Sequence, residues 1–252
     1  MTTDVEFAQP AALRELAVRA AQLGAQTCLR EFTGGVAVVT KSSDGDLVTA
    51  VDVAAERAVR DVVLAERPDD SVLGEELAAH TGSSGLQWVV DPLDGTTNFT
   101  RRLPFFATSV AVRNDDGDWL AGAVCAPALG TTWSAARGHG AELETASGRE
   151  RLPLNLAPSS ARLLGTGLSY DAGHRRRQIR ELGTHLAGFT DMRRFGAAAI
   201  DLCLVAQGSL DAFLEDDLAL HDWAAAALIA EEAGAQVLRP TGADSTMTAR
   251  LR

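Results

Sequence analysis

The chain has 252 residues, 46% hydrophobic and 23% charged, which is the make-up of a soluble globular protein with a sizeable core, in one large domain or two smaller ones. A formal net charge of −11 excludes the basic surface that nucleic acid or an anionic membrane requires, and no apolar run of membrane-spanning length is present. Cys28, Cys125 and Cys203 stand far apart with no C-x-x-C pair, so neither a disulfide framework nor a zinc site is indicated; with no apolar signal segment behind the acidic N-terminus, a cytoplasmic location is expected.

In chain order, Leu13, Leu16, Ala17, Ala20, Leu23 and Phe32 fall at helical spacing and predict an amphipathic helix over 10–34. A β-branched run predicts a strand over 36–40, and residues 41–46 read as a turn. The segment DLVTAVD (46–52) leads into a second helix with the apolar face Ala55, Ala58, Val59, Val62 and Val63, with Asp52 where an N-cap belongs and Glu56 following in the first turn. Ser71, Val72 and Leu73 predict a short strand ending in Gly74-Glu75-Glu76, and 81–85 is a loop. Trp88, Val89 and Val90 then form a buried strand that ends in Asp91-Pro92-Leu93-Asp94, and Gly95-Thr96-Thr97 opens the next helix. Residues 105–112 and 120–126 read as a hairpin around the polar turn 114–118, 131–136 adds a strand, and 137–140 turns away.

These elements describe an α+β first half over 1–152, with a boundary near Leu152-Pro153. The second half, 153–252, alternates as in an α/β layer: strand 163–167, helix 174–186, strand 191–194, helix 197–207, strand 210–214, an Ala-rich helix 223–233 ended by Gly234, and a final strand 236–238.

Chemistry concentrates at the ends of these elements. Asp91 and Asp94 sit three apart across a proline, and two carboxylates at a strand end suit a hard cation such as Mg²⁺. The Gly-Thr-Thr that follows offers backbone N–H groups at a helix start, where an anion is favoured. Taken singly, Asp52, Asp94 and Asp222 read as helix caps and Glu75 as a solvated loop residue. In a layered fold the same element ends converge, and carboxylates brought together are tolerated only with a cation.

Three segments then carry a resemblance: GEE at 74–76, DPLDGTTNF at 91–99 and HDWAAAALIAEEAGA at 221–235 resemble the signature blocks of the inositol monophosphatase family. DLVTAVD at 46–52, TGLSYD at 166–171 and the segment 193–215 follow the same order, so the resemblance covers about 13–240. It implies a layered α-β-α-β-α sandwich of the sugar phosphatase type. It also implies a lithium-sensitive, cytoplasmic, homodimeric phosphomonoesterase that uses two or three Mg²⁺ ions. By resemblance, the first metal site is Glu75, Asp91, Thr96 and the Leu93 carbonyl; the second is Asp91, Asp94 and Asp222; a third ion rests mainly on Glu75. Asp52 and Thr96 are implied as the hydrogen-bonded pair that helps Glu75 orient the attacking water. Phosphate is expected on the N–H groups of Gly95 and Thr96, next to Asp94 and Thr97. Gly196, Ala197, Ala198 and Glu215 match the hydroxyl-recognising wall, with Ser169 as a neighbour.

The resemblance also has departures. His221 stands where the family usually has tryptophan, and Trp223 follows the aspartate, which is expected to reshape the adjoining wall. Arg101-Arg102 follows the metal loop and faces either substrate anions or solvent. The last layer is expected to lack a part or to finish differently. The expected reaction is hydrolysis of inositol monophosphate by a metal-activated water, with histidinol phosphate or another sugar phosphate as the rival substrate. A binding protein that keeps the fold is the reading from another class.

Overall fold

In a computed structural model that describes residues 9–34, 38–40, 47–157, 159–241 and 245–251, the chain is built in five layers around two sheets. The expected turn over 41–46 and the first residues of the expected strand over 36–40 lie outside the described residues. The outermost layer is a pair of helices, α1 (Pro10–Gly34) and α2 (Ala50–Glu66). Pro10 occupies the first helical position, where a missing N–H costs nothing. Leu13, Leu16, Ala17, Ala20 and Ala21 bury the face predicted from their spacing. A short antiparallel hairpin, β1 (Val38–Thr40) with β2 (Leu47–Thr49), leads into α2. Because α2 begins at Ala50, Asp52 is not the expected N-cap; it lies inside the first turn and is buried.

The first sheet has seven strands in sequence order: β3 (Ser71–Gly74), β4 (Leu86–Asp94), β5 (Ala107–Asn114), β6 (Trp119–Ala126), β7 (Thr131–Ala136), β8 (Gly140–Thr145) and β9 (Gly148–Arg151). Only β3 and β4 pair in parallel; all other neighbours are antiparallel. Period-two alternation divides the sheet cleanly. Trp88, Val90, Val110 and Val112 face α1 and α2, while Val89, Ala107, Ala111 and Trp133 face the opposite side. β8 and β9 lie beyond the turn at which the sequence reading ended the sheet.

The second sheet is ordered β11 (Asp191–Arg193), β10 (Leu163–Thr166), β12 (Ala212–Asp216), β14 (Thr246–Arg250), β13 (Gln236–Leu238). β11, β10 and β12 are parallel, and β14 runs antiparallel between β12 and β13. The strand at 236–238 is therefore not the last, as expected from sequence, but an edge that β14 joins to the rest. Between the sheets lie α5 (Ala198–Gln207) and α6 (Leu220–Glu232). Their residues Ile200, Leu202, Ala225, Leu228 and Ile229 share one core with Val89 and Trp133 from the first sheet and Phe213 from the second. The run Ala224 to Ala227 lets α6 lie close on the sheet: a Cβ on Gly122 would come within 2.9 Å of Ala225 Cα. α4 (Ala172–His185) covers the outer face of the second sheet, capped by the Asp171 carboxylate on the His174 N–H. Among the described residues no helix is long and apolar enough to cross a membrane.

Candidate functional site

Asp91 sits near the end of β4, 2% exposed, where the ladder to β5 is interrupted between Asp91 and Asp94. Pro92 has no N–H to give the ladder, and its carbonyl accepts from Thr108 Oγ1 (2.8 Å) and Cys28 Sγ (3.6 Å). The Leu93 N–H donates to Asp91 Oδ1 (3.0 Å), and the Thr96 hydroxyl donates to the Leu93 carbonyl (3.1 Å). Gly95 turns the chain at φ 89°, and a Cβ there would lie 2.7 Å from the Phe105 carbonyl, so only glycine fits. The short helix α3 (Thr96–Thr100) starts at that turn. Asn98, buried beneath it, donates to the carbonyls of Phe105 and Phe195, both at 2.7 Å, and so ties the loop to the approach to α5.

Glu75 is presented by the loop after β3, and Glu56, read from the sequence only as an acidic residue near the start of α2, holds that loop. Glu56, fully buried on α2, accepts from the backbone N–H groups of Glu76 (2.7 Å) and Leu77 (3.3 Å) and is paired with Arg60. Arg60 in turn donates to the carbonyls of Leu77 and Ala78. Gly74 is required here, since any Cβ would collide with the Glu56 carboxylate. The signal was present in the sequence: Glu56 lies four residues after Asp52 and three before Val59, on the face of α2 that is buried.

The second half supplies the remaining carboxylates. Asp94 Oδ2 accepts the Ala199 N–H (2.7 Å), so Asp94 does cap a helix, but it is α5 rather than the helix that follows it. Ala197, the residue before α5, has no side-chain acceptor for this. Asp222 is the third residue of α6, not its N-cap, and its Oδ2 accepts the Ala219 N–H (2.6 Å). Each of these two carboxylates thus keeps an oxygen clear of its cap. Glu215, at the end of β12, fits against Gly167, where a Cβ would overlap its carboxylate.

These groups line one cleft of about 380 Å³: Glu75, Asp91, Leu93, Asp94, Asp222 and Glu215, with Gly95, Thr96 and Thr97 on one wall and Ser169, Gly196, Ala197 and Ala198 on another. Asp52 does not line it. It lies behind the loop, near enough that with burial and Asp91 it pushes up the thiol of Cys28. Arg101 and Arg102 are exposed and outside the cleft, with Arg102 over the Phe32 ring. Trp223 points away into the core, edge-on to Trp119, so it does not reshape the cleft wall directly. Arg194 and Tyr170 also line the cleft without having been singled out; the Tyr170 hydroxyl meets Thr97 Oγ1 at 2.9 Å across the opening.

The electrostatics are those of crowded anions. Burial, then Asp94, Glu75 and Asp222, raise Asp91 well above the usual carboxylate range. Burial and Asp222 do the same to Asp94, and burial raises Asp222 against the relief of His221. Burial and Asp222 raise Glu215 to about 7, opposed by Arg194. A donor set of carboxylate oxygens plus the Leu93 carbonyl fits a hard divalent cation, and a cation would remove the repulsion that raises these groups.

Five layers, two sheets and a carboxylate-lined cleft where they meet define the architecture of the layered sugar phosphatases. A profile of the inositol monophosphatase family matches residues 9–251, and the chain belongs to that family. It is 43% identical over 218 residues to the inositol-1-monophosphatase SuhB of Mycobacterium tuberculosis, covering 84% of this chain and 75% of that protein. It is 36% identical over 240 residues to the Nus factor SuhB of Escherichia coli, covering 92% and 86%. Among solved structures, the suhB protein of Bartonella henselae superposes with a TM-score of 0.85 at 31% identity, covering 96% of this chain and 94% of that one. The Thermotoga maritima IMPase gives 0.79 at 26%, covering 94% and 91%.

Proposed function

We propose that the chain is a Mg²⁺-dependent phosphatase that hydrolyses inositol monophosphate. The observation that carries this reading is the convergence of Glu75 just after β3, Asp91 and Asp94 at the end of β4, and Asp222 in the first turn of α6 on one cleft beside the Gly95 turn. Those four side chains, the Leu93 carbonyl and the Thr96 hydroxyl would hold the ions. When bound, Mg²⁺ supplies a water activated for attack and a positive charge opposite the leaving oxygen. The chain's own residues do the positioning, which dominates phosphoryl transfer. Glu75, held by Glu56, orients the attacking water, with Asp52 and Thr96 behind it. The N–H groups of Gly95 and Thr96, with Thr97, take the phosphate. Glu215, whose carboxyl burial and Asp222 raise in the metal-free protein, accepts from a substrate hydroxyl, and Ser169, Gly196, Ala197 and Ala198 shape the rest of that wall.

A second reading has its own observation. Among the described residues, the wall opposite the metal loop carries Asp171, Glu215, Asp216 and Asp217 with Arg194 beside them and His174 behind, 2.6 Å from Asp217. Such a wall favours a cationic leaving group, as in histidinol phosphate, over a neutral polyol. The test is phosphate release from inositol 1-phosphate, histidinol phosphate, fructose 1,6-bisphosphate and phosphoadenosine phosphate, each with Mg²⁺ and with chelator. Chelator-sensitive turnover of inositol 1-phosphate above the others is expected. Preference for histidinol phosphate moves the substrate and keeps the site. No turnover of any of them overturns the enzyme reading in favour of a binding protein.

A further inference from the structure

We propose that His221 is a nitrogen ligand to the cation held by Glu75 and Asp91, which makes this centre a mixed oxygen–nitrogen site that favours Mn²⁺ or Zn²⁺ over Mg²⁺. The inference rests on the reading of Glu75 and Asp91 as metal ligands and adds to it. One ligand atom from each of Glu75, Asp91 and His221 lies within 4.8 Å of the other two, so a single ion can reach all three with small side-chain rotations. The atom that faces the carboxylates is Nε2, 3.8 Å from Glu75 Oε2 and 3.5 Å from Asp222 Oδ1. Both distances are long for an N–H···O hydrogen bond, and among the described contacts neither ring nitrogen makes one. The nitrogen is thus aimed at the carboxylates without being spent on them.

The backbone fixes this aim. His221 is the second residue of α6, and the next residue, Asp222, is locked by its bond to the Ala219 N–H. The ring is about three-quarters covered, its side chain 23% exposed, so it does not swing freely in solvent. The tryptophan usual at this position could not take the role, because an indole offers only an N–H donor and no lone pair. An imidazole in an otherwise all-oxygen set moves preference along the divalent series, away from Mg²⁺ and towards ions that accept nitrogen readily.

The test loads the full-length protein with Mn²⁺ and records pulsed electron paramagnetic resonance, in which a directly bound imidazole modulates the echo at ¹⁴N frequencies. Modulation is expected in the unsubstituted protein, is expected to change character when histidine alone is ¹⁵N-labelled, and is expected to vanish in His221→Gln. In parallel, calorimetric titration of the metal-free protein should show Mn²⁺ binding tighter than Mg²⁺, and His221→Gln or His221→Trp should shrink that ratio tenfold or more. Stoichiometric Mn²⁺ uptake with no ¹⁴N modulation overturns the proposal and leaves the carboxylate site standing. Modulation that survives in His221→Gln also overturns it. No Mn²⁺ uptake at all overturns the metal-site reading as well. The spectrum of the unsubstituted protein decides the matter even where a variant fails to fold, and none of these readings depends on turnover.

Discussion

Burial and three neighbouring carboxylates act on Asp91 in the same direction, so in the metal-free protein its charge is a liability that folding must carry. Asp91→Asn removes that charge while keeping an oxygen to accept the Leu93 N–H, now at 3.0 Å. Without metal the variant should therefore melt no lower than the parent, and by about 1 kcal/mol or more in its favour. Phosphate release in Mg²⁺ should fall by roughly 100-fold or more, because the residue assigned to both ion sites is lost. Thermal melts and a phosphate assay read the two effects separately, and full activity in the variant would remove Asp91 from the site. At this scale the sequence was informative wherever the chemistry is written into a motif: Glu75, Asp91, Asp94 and Asp222 all reach the cleft. It was silent where a residue acts through a partner distant in sequence. Nothing at 197–199 says that Asp94 will cap α5, and nothing at 56 alone says that its carboxylate holds the loop at 75–77.

Between elements, spacing is set by small residues. Gly122 on β6 faces the backbone of α6 so closely that a Cβ would meet Ala225 Cα at 2.9 Å and Ala225 Cβ at 3.0 Å. The helix carrying Asp222 is therefore seated by a glycine on one side and an alanine run on the other. Gly122→Val should force β6 and α6 apart, with a cost of about 1–3 kcal/mol from overpacking. Since Asp222 rides on the first turn of α6, metal affinity should weaken along with stability. A melt paired with a Mg²⁺ titration checks both, and a variant as stable and as tightly binding as the parent would show that the contact yields. Elements with a strong period were legible: α1 runs over 10–34 as its apolar spacing implies. Those missed lack that signal. β9 is Gly-Arg-Glu-Arg with every residue exposed, and β14 buries only Met247 and Ala249, too few to announce a strand. Both are set by their neighbours' unpaired edges rather than by their own side chains.

For the molecule as a whole, the raised carboxylates couple stability to pH and to metal. Glu215 titrates near 4.5 when unfolded and at about 7 when folded, so between those values the unfolded chain holds fewer protons. Stability is then fully present below about 4.5 and is lost as pH rises towards 7, the reverse of a salt-bridged carboxylate. Asp91, Asp94 and Asp222 are raised as well and pull in the same direction. Glu15, lowered chiefly by its hydrogen bond to Arg149, acts only at the acid end, outside this window. Glu215 alone corresponds to about 3 kcal/mol across the window, or roughly 6–12 °C in melting temperature for a domain of this size. The metal-free protein should therefore melt progressively lower from pH 5 to pH 8. Glu215→Gln should flatten part of that slope, since its neutral amide does not titrate, and the general repulsion of a net charge of −11 is common to both proteins. Saturating Mg²⁺ should flatten more of it, because a cation favours the ionised cluster that protons otherwise neutralise. Melts at four pH values, with chelator and with Mg²⁺, decide between these contributions. Parallel slopes for the parent and Glu215→Gln would remove Glu215 from the account. Parallel slopes with and without Mg²⁺ would mean that the converging carboxylates do not hold the ion.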